Sequence, residues 1–116
     1  MRKQKFKGRC EKRNLSKCKD TVRTYDSLQT FYALMLQSND DIAEIRCNVV
    51  LEGVGDEPFT TDFVCTKLSG ELIVRECVFR KQLDKPMTVR LLDISRDYWL
   101  NHGVTDWGLV IDAAKK

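Results

Sequence analysis

The chain has 116 residues, 42% of them hydrophobic and 32% charged, with 6 Gly and 2 Pro, which fits one compact domain and excludes a linker-dominated chain or a second catalytic domain. A domain of this size buries about 60–70% of the surface its unfolded chain exposes, enough for one sheet and two helices. No run approaches the roughly 18–20 apolar residues of a membrane span, and no apolar segment follows the basic N-terminus as a secretory signal requires, so a soluble cytoplasmic protein without a membrane partner is expected.

The net charge of +3 conceals an asymmetry: residues 1–24 hold ten Lys/Arg and two acids, a net charge of +8, whereas residues 25–116 hold ten and fifteen, a net charge of −5. The division is into a basic N-terminal arm, 1–24, and a folded body, 25–116. The arm has no apolar periodicity that demands burial and is expected to stay extended or partly disordered until an anion orders it. A nucleic-acid backbone fits, because phosphates neutralised by Lys3, Lys5, Lys7, Arg9, Lys12, Arg13, Lys17, Lys19 and Arg23 would release counterions and give salt-dependent, sequence-blind affinity for DNA.

Along the body, Asp26 or Ser27 caps a helix whose apolar residues Leu28, Phe31, Tyr32, Met35 and Leu36 recur at helical spacing. Ser38 to Asp41 breaks it, and Ile42 to Leu51 alternates as a strand with Ile45, Cys47, Val49 and Leu51 on one face. Glu52 to Pro58 is loop chemistry, and Phe59 to Leu68 reads as a second strand. Ser69-Gly70 turns the chain into a third strand, Leu72 to Phe79. Pro86 opens a second helix reaching about His102, with Gly103 past its end. Thr105 to Ile111 is the last strand. The order helix, three strands, helix, strand makes an α/β domain with a mixed sheet and packed helices.

The five cysteines form no CxxC pair and read as reduced thiols, three of them acting as small hydrophobes. His102, the only histidine, suits a helix C-terminus, and Trp99 and Trp107 suit packing.

Chemistry concentrates in Asp62 and Glu76 on adjacent strands. If Leu68-Ser69-Gly70 closes the hairpin, position 67 faces 71 and 62 faces 76, which makes the two acids cross-strand partners about 4.5–5.5 Å apart at Cβ. A one-residue slip would instead turn one acid to solvent. Two acids so close, flanked by Val64, Val74 and Val78, repel unless one is protonated or a cation lies between them, and Mg²⁺ or Mn²⁺ suits such a pair.

Asp62 and Glu76 in this order of elements resemble the core of the PD-(D/E)XK nucleases. With Lys12 to Lys17, Tyr25-Asp26-Ser27-Leu28-Gln29, Thr60-Thr61-Asp62-Phe63, Val74-Arg75-Glu76 and Asp106-Trp107-Gly108, the chain is similar to the TnsA-like endonuclease subunits of heteromeric transposases. The resemblance implies a restriction-endonuclease-like three-layer core, with Asp62, Glu76 and the Cys77 carbonyl as metal ligands. It implies work on DNA in a prokaryotic or phage-infected cell, beside other transposase subunits, a nuclease complex or a second copy. Two positions depart from the pattern: Val78 stands where the family carries its lysine, and Gln29 where related enzymes often carry an acid. By strand alternation Arg80 shares a face with Glu76 and can substitute for the lysine, whereas Lys81 can do so only from a bulged or twisted strand end. The expected function is metal-dependent DNA cleavage. The alternative keeps the fold without the chemistry, as a DNA- or protein-binding module such as an assembly subunit or a phage inhibitor of a nuclease.

Overall fold

The computed structural model describes residues 2–3, 10–51 and 59–113; Lys5, Lys7, Arg9 and residues 52–58, where a loop is expected, lie outside them. The elements run β1 (Arg2–Lys3), β2 (Glu11–Arg13), β3 (Val22–Thr24), α1 (Ser27–Gln37), β4 (Ile42–Leu51), β5 (Phe59–Lys67), β6 (Leu72–Cys77), α2 (Pro86–Asn101) and β7 (Asp106–Val110), with a 3₁₀ turn at Arg80–Gln82 before α2. No helix among the described residues is long and apolar enough to cross a membrane.

The body is the expected α/β arrangement of a mixed sheet and two helices. Strand β5 is its centre: β4 runs antiparallel along one edge, β6 antiparallel along the other, and β7 joins β6 in parallel. Thr60 pairs with both Val50 of β4 and Arg2 of β1, so β1 occupies the same edge of β5 as β6, beyond the point where β6 leaves it. The three-residue hairpin loop forms as expected, with the Lys67 N–H donating to the Glu71 carbonyl at 2.9 Å and Gly70 at φ +92°, a backbone state open to glycine at little cost.

Side-chain alternation along β5 and β6 sorts the core into two layers. Phe63, Cys65, Ile73 and Cys77 face α1 and pack with Leu28, Ala33 and Leu36. Val64 and Val74 face the other way and pack with Trp99 of α2, Leu51 and Val104. The helices therefore cover opposite faces of the sheet.

Asp26 caps α1 by accepting the Gln29 N–H, but the helix turns a different face inward than apolar spacing suggests. Phe31 and Met35 are 60% and 48% exposed, while Gln29 is 2% exposed. The helix is rotated so that Leu28, Ala33 and Leu36 meet the sheet and Gln29 finds polar partners inside it. Helix α2 starts at Pro86 and has His102 as its C-cap residue, the His102 ring stacked on Tyr98 at 4.1 Å between centroids. Gly103 follows at φ +82°.

The arm also departs from expectation over its described part. β2 and β3 form an antiparallel hairpin in which Lys12 faces Arg23, and Val22 and Thr24 are 0% and 1% exposed. Residues 22–24 thus belong to the folded body, because their alternation places two side chains in the core and only Arg23 in solvent. The third body strand ends at Cys77, short of the expected Phe79, where the chain turns into the 3₁₀ segment.

Candidate functional site

Register in the β5–β6 ladder, Phe63 opposite Arg75 through Thr66 opposite Leu72, carried one rung further sets Asp62 opposite Glu76. At that rung the regular ladder gives way to side-chain bonds. The Asp62 N–H donates to Glu76 Oε1 at 2.8 Å, and the Cys77 N–H donates to Asp62 Oδ2 at 2.7 Å. On the opposite edge of β5, Asn48 adopts φ +53°, a left-handed state that Asn tolerates better than most residues, and its amide donates to the Arg23 carbonyl at 2.8 Å. β5 is therefore irregularly paired on both sides at Asp62, although its register with β4 is the same before and after Asn48.

Both acids are fully buried, at 0% exposure, and each is also bound by a helix. From α1, Gln29 Nε2 donates to Asp62 Oδ1 at 2.7 Å, while Gln29 Oε1 accepts the Tyr25 N–H at 2.7 Å. From α2, the Ser95 hydroxyl donates to Glu76 Oε2 at 2.5 Å and accepts from Trp107 Nε1 at 3.0 Å. Trp99 Nε1 donates to the Thr61 hydroxyl at 2.9 Å beside them. Burial pushes the Glu76 carboxyl above its ordinary range, with the Ser95 and Thr61 hydrogen bonds acting in the opposite direction. Removal from water makes a charge on Glu76 costlier than on a solvated carboxyl.

The structure thus brings Gln29, Asp62, Glu76 and the Cys77 backbone together. Ser95 and Thr61 belong with them and were not singled out from the sequence. The available signal was Ser95 on the inward stripe of α2 with Leu92 and Trp99, where a small polar residue needs a buried partner.

Two carboxyl groups are hard oxygen donors of the kind Mg²⁺ takes, with water and phosphate oxygens completing the shell; at Cys77 it is the N–H that meets them. Among the described residues no group of three or more His, Cys, Asp and Glu can hold a metal ion. An open cleft of about 410 Å³ is bordered by Gln29 and Cys77, both of which bind Asp62, and by Val78; neither acid lines it.

Arg80 is not brought to this site. Its guanidinium Nε donates to the Asp112 carbonyl at 2.7 Å and its N–H to Asp112 Oδ1 at 2.6 Å. Because β6 ends at Cys77, strand alternation no longer governs position 80, and the turn directs Arg80 toward the end of β7. Of the expected DNA contacts, Lys12, Lys19 and Arg23 are exposed. Arg13 is paired with Glu11 at 2.8 Å, and the Lys17 ammonium donates to the Asn39 carbonyl. The backbone of Lys3 lies in β1.

No protein-family model matches the chain, and no curated protein matches it.

Proposed function

We propose that this chain is a DNA-binding protein with a restriction-endonuclease-like core, similar to TnsA-like subunits, whose acid pair serves metal-dependent hydrolysis of DNA phosphodiester bonds. The observation that carries this reading is the placement of Asp62 and Glu76: two buried carboxylates on neighbouring strands, at the rung where the strands part. A fold gains little stability from a close buried acid pair, and one member must take a proton to relieve it. A divalent cation relieves the same repulsion, and when bound it polarises the phosphate and lowers the pKa of its water.

The chain's own residues prepare that site. Gln29 and the Cys77 N–H fix the Asp62 carboxylate, Ser95 and the Asp62 N–H fix Glu76, and the exposed Lys12 and Arg23 of the hairpin offer charge to the DNA backbone. Cutting both strands calls for a second active centre, from another copy or from a partner subunit of a transposase or nuclease complex.

The second reading is a non-catalytic module that occupies DNA or a nuclease partner. It is favoured by the hydrogen bonds that each carboxylate oxygen already receives from the protein, and by Val78. Calorimetric titration of Mg²⁺ and Mn²⁺ into the protein and into Asp62→Asn separates the two. Binding to the wild type that disappears in the variant supports the metal site, and absence of binding even with DNA present leaves the non-catalytic module.

A further inference from the structure

Among the described residues, the sheet covers one of its edges and leaves the other open. Along β4 the Ile45 N–H donates to the Lys17 carbonyl at 2.9 Å, and the Asn48 amide donates to the Arg23 carbonyl at 2.8 Å, so the arm lies against that edge. β7 pairs with β6 alone and ends the sheet on the other side. Its inward main-chain groups are marked by two bonds: the Val78 N–H donates to the Val110 carbonyl at 2.9 Å, and Arg80 Nε donates to the Asp112 carbonyl at 2.7 Å. In a parallel ladder the groups of alternate residues point to the same side, so Trp107, Leu109 and Ile111 aim theirs away from β6. The side chains of the same three residues are apolar. Trp107 packs toward α2, strand alternation puts Leu109 and Ile111 on its face, and these two are 40% and 38% exposed. From Trp107 to Ile111 the edge carries none of the charged or proline residues that keep strand edges from pairing.

We propose that this open edge is a self-recognition surface, on which β7 of a second copy of the chain pairs antiparallel about a two-fold axis at Leu109. The occupant follows from register. A two-fold interface sets residue i against j and j against i, so an axis at Leu109 makes Leu109 its own partner and Trp107 the partner of Ile111. Outward main-chain groups then meet outward groups, and apolar side chains meet apolar ones. On the α1 face the same register sets Gly108 against Val110, and Asp106 against Asp112 of the second copy. Charge at that rung is balanced by Arg75, whose guanidinium covers Gly108, where a Cβ would stand 3.4 Å from Nη1, and pairs with Asp106 at 2.8 Å. Each copy thus brings an arginine to a rung that would otherwise set two acids together. An edge this short gives a contact at the small end of interface sizes, and so a weak, concentration-dependent dimer. The pairing goes beyond the nuclease reading and stands whether or not the acid pair binds a cation.

The test is sedimentation equilibrium of the full chain in reducing buffer, from about 10 µM to about 1 mM, a range that brackets a weak contact. It compares the wild type with Leu109→Lys and with Leu34→Lys, which alters the exposed stripe of α1 instead. The two leucines are 40% and 44% exposed, so a lysine at either position can hold its charge in water. Amide hydrogen exchange of the wild type is measured at both ends of the range. The expected result is a wild-type dimer whose dissociation constant rises about tenfold or more in Leu109→Lys, which sets like charges against each other at the axis, and is unchanged in Leu34→Lys. Exchange at the Leu109 and Ile111 amides should slow as the dimer fills. A dimer that survives Leu109→Lys, or that leaves those two amides unprotected, overturns the inference, and its loss in Leu34→Lys alone moves the contact to α1. A wild type that stays monomeric throughout also overturns it and leaves the edge to a strand of another protein.

Discussion

Gln29 Nε2 lies 2.7 Å from Asp62 Oδ1, so a helix on one face of the sheet fixes an acid whose partner, Glu76, is fixed by Ser95 from the helix on the other face. The acid pair is the point at which the three layers are joined by polar bonds. Replacing Gln29 by Ala removes the donor to Asp62 and the acceptor of the Tyr25 N–H and leaves a buried void. Urea unfolding is expected to show a loss of about 2–4 kcal/mol. A loss below 1 kcal/mol, on the order of one ordinary hydrogen bond, would mean that this polar link does not hold the layers.

Gln29→Glu asks a different question of the same position. It places a third carboxylate against Asp62, and in metal-free buffer the repulsion should lower the melting temperature. Mg²⁺ should restore it, since a ligand bound only by the folded state stabilises it by mass action. Equal melting temperatures with and without Mg²⁺ would count against a cation at the pair.

Glu76 carries a pH signature. Its folded-state pKa is raised by burial above the ordinary 4.5, so the folded protein holds a proton that the unfolded chain releases. That contribution to stability is complete below the unfolded value and is lost as pH rises through the folded one. Glu76→Gln, neutral at every pH, should therefore lose less stability than the wild type as metal-free buffer is made more alkaline. Parallel urea midpoints across the range would show that Glu76 is ionised in the fold.

Much of this architecture was legible because its signals are local. A short loop with Gly70 fixed the pairing of β5 with β6, and with it the opposition of Asp62 and Glu76. Pro86 and Gly103 marked the ends of α2. The inward face of α1 was not legible, since apolar spacing fits two rotations of the helix and the deciding residue, Gln29, is a polar one whose partner lies 33 positions away. The β2–β3 hairpin was hidden for a related reason: basic residues dominate its composition, while Val22 and Thr24 carry its burial.

The hairpin changes how the arm is tested. Deleting residues 1–24 would remove core side chains along with charge. The double variant Lys12→Ala, Arg23→Ala alters only an exposed cross-strand pair and should leave stability within about 0.5 kcal/mol. The salt slope of DNA binding should fall by about 1.8, the value for two phosphate contacts. An unchanged slope would move the DNA interface away from the hairpin.

Cys47 offers a check on packing. Burial, with Cys18 close by, pushes its thiol pKa up to about 12 from 9.0, so the thiol form stabilises the fold at neutral pH and that contribution fades only as pH climbs from 9.0 toward 12. Iodoacetamide at pH near 8 should modify Cys47 only when denaturant opens the structure, as read by mass spectrometry of its peptide. Rapid modification in native buffer would place β4 in a looser setting.

The reciprocal bonds at the strand fork, Asp62 N–H to Glu76 and Cys77 N–H to Asp62, turn two main-chain amides into resident spectroscopic probes. Whatever alters the carboxylates, a proton, a cation or a phosphate drawn toward them, must alter the electron density felt by those two nitrogens first. In a ¹⁵N spectrum, the state of the buried pair can be read from Asp62 and Cys77 without a substrate, a dye or an assay for turnover.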